Sequence, residues 1–364
     1  EITMKINTND LEYIARGAAL LGTGGGGDPY IGHMLAKIAI EEYGPPELIK
    51  AEELEDDALV LTIAMVGAPT VLFEKAACGE DLDLAIKKLS EYLGKKVDAL
   101  MPIEIGGINS MVPITVATRL GLPLVDVDGM GRAFPEIQMV TFNVYGVKCT
   151  PVCITDEHLN SLIIETANAK RAEELVRVSS IEMGCSVAMS SYSMSGRELK
   201  DYGVHGTLSL ALEIGKAIES GRKDGAPLLS MMDYLKTTPY YNKCKVIFSG
   251  KVTDVNREVR DGFTQGYCIV SALGEQQDEV KITFQNEFLI AHKGNTVLAI
   301  VPDLICMIDS ETAEPIPVES LKYGQRVNVL GISAAPIMRT PESLAVFGPQ
   351  VFGLKDKFVP IEEL

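Results

Sequence analysis

At 364 residues, 46% hydrophobic and 23% charged, the chain has room for about two packed domains and is too apolar to stay disordered. Its formal net charge of -17, with no clustered basic stretch, repels phosphodiester backbones and anionic lipid surfaces, so neither nucleic acid nor membrane is an expected partner. The longest uncharged run, Ala58–Phe73, is broken by Gly67-Ala68-Pro69 and falls short of the ~20 apolar residues a spanning helix needs.

No basic segment followed by an apolar core opens the chain, which predicts a cytoplasmic protein, and the start at Glu1 reads as a trimmed one. The 7 cysteines (Cys78, Cys149, Cys153, Cys185, Cys244, Cys268, Cys306) are scattered without a C-x-x-C pair, so reduced thiols are expected rather than disulfides or a cysteine-built zinc site. Cys78, in "FEKAACGEDL", has a nucleophile reading beside the blander one of a small buried hydrophobe.

In chain order, Asn9 and Glu12 have the spacing of a capping box, and Leu11, Ile14, Ala15 and Ala18 recur at helical spacing behind it. "LGTGGGGDPY" (21–30) then stops that helix, and Asp28 with Pro29 starts another as N-cap and first helical residue, with Ile31, Met34, Leu35 and Ile38 as its apolar stripe. A nucleotide-binding glycine loop follows a strand, or ends in Gly-Lys-Ser/Thr; this one follows a helix and lacks the lysine, so no nucleotide is expected. Gly24, Gly25 and Gly26, with Asp28 beside them, instead predict a wall that a ring-shaped ligand approaches at the backbone.

From Ala58 onward, short apolar runs end in glycine-rich or acidic loops and alternate with helical stretches. The loops are Gly67-Ala68-Pro69, the segment Glu104 to Asn109, the segment Asp126 to Arg132, and a serine cluster at Ser190, Ser191, Ser193 and Ser195. Helices are expected at Asp156 to Val176 and His205 to Ser220. Beyond Lys243 the texture turns strand-rich, through "CKVIFSGKVTDV", "EVKITFQNEFLIAH" and "NTVLAIVPDLICMID" to "SLAVFGPQVFGL". The fold class expected is α/β: an N-terminal βα-layered domain with a mostly parallel sheet (1–240) and a C-terminal β-rich domain (241–364), with an alternative split near 180.

Loops at the carboxyl ends of parallel strands share one edge, where ligands bind, so these segments are expected to line one pocket. Glu104 ends an apolar strand, where desolvation raises a carboxyl toward general-base range, and Gly107 and Asn109 follow it within ligand reach. Asp126 and Asp128 lie two apart on a strand and face one side. They share a proton, hold a divalent metal with Glu104 or His33, or are neutralised by Arg132. Glu104, Asp126 and Asp128 are thus the catalytic candidates, Asp126 and Asp128 the metal candidates, and Arg132 and Asn109 the side chains expected to hold a ring substrate. Ser191 and Ser195 offer hydroxyls and amides at a helix start for a substrate oxyanion or carboxylate.

The ordered blocks "GTGGGGDP", "VGAPTVLFEK", "EIGGINS", "VDVDGMGRAFPE", "FQNEFLIA" and "FGPQVFG" resemble the S-methyl thiohydantoin desulfurase-like family, a former domain of unknown function associated with hydantoinase/oxoprolinase proteins. The resemblance covers nearly the whole chain and implies two domains and chemistry on a small hydantoin-like five-membered ring, as in hydrolytic removal of an S-methyl group. It equally allows a non-catalytic subunit that partners an ATP-dependent hydantoinase or oxoprolinase. A small ring substrate, such a partner subunit and a homo-oligomer are the partners expected.

Overall fold

The computed structural model describes residues 4–67 and 79–364; Ala68, Pro69 and Cys78 of the sequence analysis lie outside them. The first helix, Leu11–Leu21, follows a short turn in which the Asn7 amide donates to the Asp10 carboxylate, so the capping residues are Asn7 and Asp10 rather than Asn9 and Glu12. The second helix, Pro29–Tyr43, starts as expected: Asp28 is its N-cap, accepting from the Tyr30 amide, and Pro29 its first residue.

The N-terminal half carries two main sheets. One has six strands, in the order Met4–Lys5, Glu47–Ile49, Leu124–Val125, Ala99–Met101, Leu59–Thr62 and Met194–Ser195. Its inner pairings are parallel and its two outer ones antiparallel. The chain leaves this sheet at the buried Ile63, and Ala64–Gly67 joins a second, fully antiparallel sheet with Ser186–Ser190, Val152–Thr155 and Ser161–Ile164. The run at 186–190 is therefore not a further parallel strand. The segment from Asp156 also departs from expectation, because turn chemistry wins over helical periodicity there. Asp156 accepts from the amides of His158 and Asn160, Leu159 takes φ 64, and a β-hairpin forms. The helix begins only at Ala169, capped by Asn168, and runs to Glu182.

The C-terminal part is a seven-stranded antiparallel sheet from Cys244 to Ile332 whose end strands, Thr296–Ile300 and Leu304–Asp309, come into contact as the sheet curls. "SLAVFGPQVFGL" is not a strand: Thr340 caps a helix that starts at Pro341 and ends at Phe347, and a 3-10 turn, Pro349–Phe352, follows. One apolar cluster runs through both parts, joining Leu20 and Leu21 to Leu289, Ile300, Leu304 and Ile332, while Val252, Val270, Ile282 and Phe288 form a second cluster within the curled sheet. This is a two-domain α/β fold with mixed sheets first and a curled antiparallel sheet last. Among the described residues no helix is long and apolar enough to cross a membrane.

Helix Leu11–Leu21, which delivers the glycine loop, crosses helix Thr207–Lys223 at glycines on both sides. A Cβ on Gly17 would stand 1.9 Å from the Ala211 carbonyl oxygen, and one on Gly215 would stand 2.0 Å from that of Tyr13. Backbone cannot give way as a side chain can, so overpacking applies in full. Gly17→Ala is expected to destabilise the protein by at least about 1–3 kcal/mol, read as a lower urea midpoint at unchanged m. An unchanged midpoint would show that the two helices can separate at this crossing at no cost.

Candidate active site

Three of the predicted loops meet. The Ile108 amide donates to the Gly26 carbonyl at 3.0 Å, the Gly107 amide to Ala18, and the Gly106 amide to the Arg132 carbonyl. Gly24, Gly26 and Gly27 hold φ of 91, 84 and 80, which explains glycine there. Gly25 is glycine for space, since a Cβ would lie 2.6 Å from a Glu287 carboxyl oxygen. On the other side, the Phe288 amide donates to Thr23 and the Val318 amide to Gly24. The glycine loop is thus wedged between the 104–109 loop and the curled C-terminal sheet.

Glu104 follows the strand Ala99–Met101 and is 8% exposed. One of its oxygens accepts from the Asn109 side-chain amide at 3.0 Å; the other, Oε2, is buried with no hydrogen-bond partner. Asn109 is itself held at both ends by the Met65 backbone. Burial pushes the Glu104 carboxyl up to about 8, against the Asn109 amide and the Phe134 backbone, which favour its charged form, while the charge of Asp128 adds to the rise.

Asp128 is fully buried, and its Oδ2 accepts from the amides of Ile105, Met130 and Gly131. It ties the 104–109 and 126–132 loops together. Burial pushes it up to about 7 even so, opposed by those amides and by the nearby Thr207 hydroxyl. Asp126 does something different: it accepts from the amides of Leu208 and Ser209 and from the Ser209 hydroxyl, capping helix Thr207–Lys223 from a distance. Burial raises its carboxyl too, with the same Ser209 and Leu208 groups opposing.

The two aspartates therefore serve separate partners. Among the described residues no group of three or more His, Cys, Asp or Glu is placed to hold a metal ion. Arg132 is not their counter-ion by contact. Fully buried, its guanidinium donates to the carbonyls of Ala133, Pro302 and Asp303 and to the Thr23 hydroxyl, and it lies 4.4 Å from the Phe134 ring centroid. Burial brings it down to about 10, and the charge of Glu287 is the largest influence in the other direction.

Glu287 is the residue that sequence reasoning missed. It follows Asn286 in the turn between strands Glu279–Gln285 and Glu287–Lys293, is 2% exposed, and has a buried Oε2 with no hydrogen-bond partner. Burial raises its carboxyl well above the ordinary range, the charge of Glu104 raises it further, and Arg132 opposes. The available signal was an acid inside the apolar run "FQNEFLIA".

The remaining candidates lie elsewhere or are otherwise engaged. Ser190 and Ser191 pair with Thr62, and Ser195 caps helix Gly196–Tyr202 in a capping box with Glu198. Asp28 is exposed at its helix cap. His33, lowered by burial, lines an open depression of about 530 Å³ with Thr8, Asn9, Glu12, Tyr13 and Lys37, away from the carboxyl cluster.

Two family models match the chain: residues 9–166 as "S-Me-THD-like, N-terminal domain" and residues 167–361 as "S-Me-THD-like, C-terminal domain". The crystal structure of a protein from Chromobacterium violaceum superposes with a TM-score of 0.84 and 23% identity, over 98% of this chain and 100% of that one, and so shares the fold. No curated protein matches.

Two outcomes follow from the carboxyl geometry. Glu104 and Asp128 keep their protons up to about 8 and about 7 when folded, whereas their ordinary values are 4.5 and 3.8. Raised folded values mean that their stabilising contribution is full at low pH and is lost as pH rises from about 4 to about 8. Glu104→Gln removes its share, so between about pH 5 and pH 8.5 the variant should lose less stability than the parent. The difference is expected to be a few kcal/mol at ~1.4 kcal/mol per pKa unit, read from urea midpoints; parallel curves would refute it. Asp126→Ala should cost about 1–2 kcal/mol as a lost cap, and Asp126→Asn, which still accepts from both amides, should recover most of it in the same assay.

Proposed function

The chain belongs to the S-Me-THD-like family, and from that premise we propose that it is an enzyme acting on a small hydantoin-like ring, removing the S-methyl group of an S-methyl thiohydantoin by hydrolysis of its C–S bond. The observation that carries this reading is Glu104, a carboxyl at a strand end with one oxygen fixed by Asn109 and the other buried and unpartnered. A desolvated carboxylate whose second oxygen has no partner is suited to take a proton from a water, because burial disfavours its charged form and the proton neutralises it.

In the reaction, water oxygen bonds to the ring carbon that carries sulfur, the C–S bond breaks, and methanethiol leaves. Glu104 removes the proton from the attacking water, and Asn109 holds its carboxylate in line. The Gly26 and Gly27 amides donate to no backbone carbonyl among the described residues, and in this reading they supply donors for charge that builds on the ring. The low polarity that raises Glu104 also keeps bulk water from diluting these interactions.

The test uses the isolated full chain and an S-methyl thiohydantoin, with methanethiol trapped by a thiol reagent. The expected result is turnover that rises with pH through a limb near 8, where Glu104 ionises, and that falls ~10²–10⁴-fold in Glu104→Gln. Turnover that survives this substitution would remove Glu104 from the chemistry, and no turnover of any such ring by the parent would remove the reaction.

A further inference from the structure

The turn at Gln285, Asn286 and Glu287 brings a carboxyl from the second half of the chain against the loops of the first. It is a held turn: Gln285 and Glu287 face each other in the strand register, and Asn286 takes φ 58. The Asn286 amide donates to the Thr264 carbonyl at 2.7 Å, and the Thr264 amide donates back to the Asn286 side chain at 2.8 Å. An asparagine in the left-handed region, fixed from both sides, aims the next residue. That residue is Glu287, 2% exposed, with one oxygen against Gly25 and the other without a partner.

Glu104 presents the same feature from the other side, a buried and unpartnered Oε2, and the two carboxyls are within electrostatic reach of each other. The cation that Glu287 faces is Arg132, whose own hydrogen bonds go to three carbonyls and a hydroxyl. Asp128 acts on Glu104, and Cys306, Asp303 and Tyr241 surround Arg132. Of these, Asp303 is paired with Arg339, Asp128 is held by three amides, and the hydroxyl of Tyr241 donates to the Gly131 carbonyl. Two buried, free-ended carboxyls that feel each other's charge settle with one charged and the other holding a proton.

We propose that Glu287 is the second acid–base carboxyl of this site, holding a proton while Glu104 is ionised. Its chemical role rests on the ring-hydrolysis reading above. Glu104 takes one proton from water as the C–O bond forms and passes it to the ring nitrogen. As the C–S bond breaks, Glu287 gives its proton to the departing sulfur and regains one from the new hydroxyl as that becomes the carbonyl. Water and the S-methyl ring are consumed, methanethiol and the ring carbonyl are formed, and both carboxyls end as they began.

The experiment follows glutamate carboxyl signals against pH in the full chain, labelled with ¹³C at the glutamate side-chain carboxyl, for the parent, Glu104→Gln and Glu104→Asp. In the parent, Glu104 and Glu287 should titrate in two coupled steps, Glu287 second and against an ionised Glu104. In Glu104→Gln, Glu287 should titrate in one step, at least about one unit lower, and Glu104→Asp should restore two steps. If Glu104→Gln does not fold, Glu104→Ala makes the same measurement. A Glu287 titration that is identical in parent and Glu104→Gln overturns the proposal. Turnover supplies the second arm: kcat in Glu287→Gln should fall about 100-fold with KM little changed. Coupled titration without any ring turnover in the parent keeps the dyad and rejects the ring reading. Full turnover in Glu287→Gln with uncoupled titration keeps the ring reading and rejects the dyad.

Discussion

The guanidinium of Arg132 is removed from water and is held by backbone carbonyls instead of a carboxylate. A buried charge of that kind is tolerable only where its donors are satisfied and opposite charge is near, because desolvating an ion costs several kcal/mol even after relaxation. Here the donors bind three separate parts of the chain. Ala133 is local, Thr23 belongs to the glycine loop, and the Pro302 and Asp303 carbonyls belong to the turn before strand Leu304–Asp309. One side chain therefore fixes how the C-terminal sheet sits on the N-terminal loops. Asp303 repeats the device one layer further out, through Arg339 and the Ala334 and Ile361 amides.

The need for nearby negative charge then shapes the rest of the site. Glu104 and Glu287 come from opposite halves of the chain, and neither makes a hydrogen bond to Arg132. Each keeps one oxygen unpartnered in a buried place. An unpartnered buried oxygen costs stability that a simple core would not give up, and such costs collect where ligands or reacting groups are to be received. Asp128 Oδ1 is likewise buried and unpartnered, but three amides on its other oxygen make this carboxyl a strut between loops.

How much of this could be read from the sequence depends on the range over which each signal acts. Asp28 and Pro29 announce a helix start through bonds within two residues, and the structure follows them. The alternation of apolar runs and helices likewise gives the α/β class, because it reflects burial of contiguous segments. Local signals fail where two of them compete. The segment after Asp156 carries helical spacing and turn chemistry together, and the turn wins because Asp156 can satisfy two amides at once. Asp126 and Asp128 show the other limit. Their spacing predicts one shared strand face, but Asp126 lies between strands of different sheets, Leu124–Val125 and Val127–Asp128, so it reaches the amides at Leu208 and Ser209 while Asp128 reaches Ile105. For Glu287 the local signal was only an acid in an apolar run, and its partners lie more than a hundred residues away.

The glycine loop joins these threads. Five glycines between two helices look like a binding loop, and three of them do need positive φ. Their neighbours are protein, however: Phe288 and Val318 against Gly24, Glu287 against Gly25, the Gly106 carbonyl against Gly26 and Ile108 against Gly27. A side chain at Gly24 or Gly25 would push the C-terminal sheet off the loop, and one at Gly26 or Gly27 would push away the 104–109 loop that carries Glu104. The absence of side chains is what lets carboxyls from separate domains act on one another, so the loop serves the site by its thinness. That role also accounts for the lack of a lysine and for Asp28 at the loop's exit, since a segment whose neighbours are two carboxyl-bearing loops has no use for drawing in a phosphate.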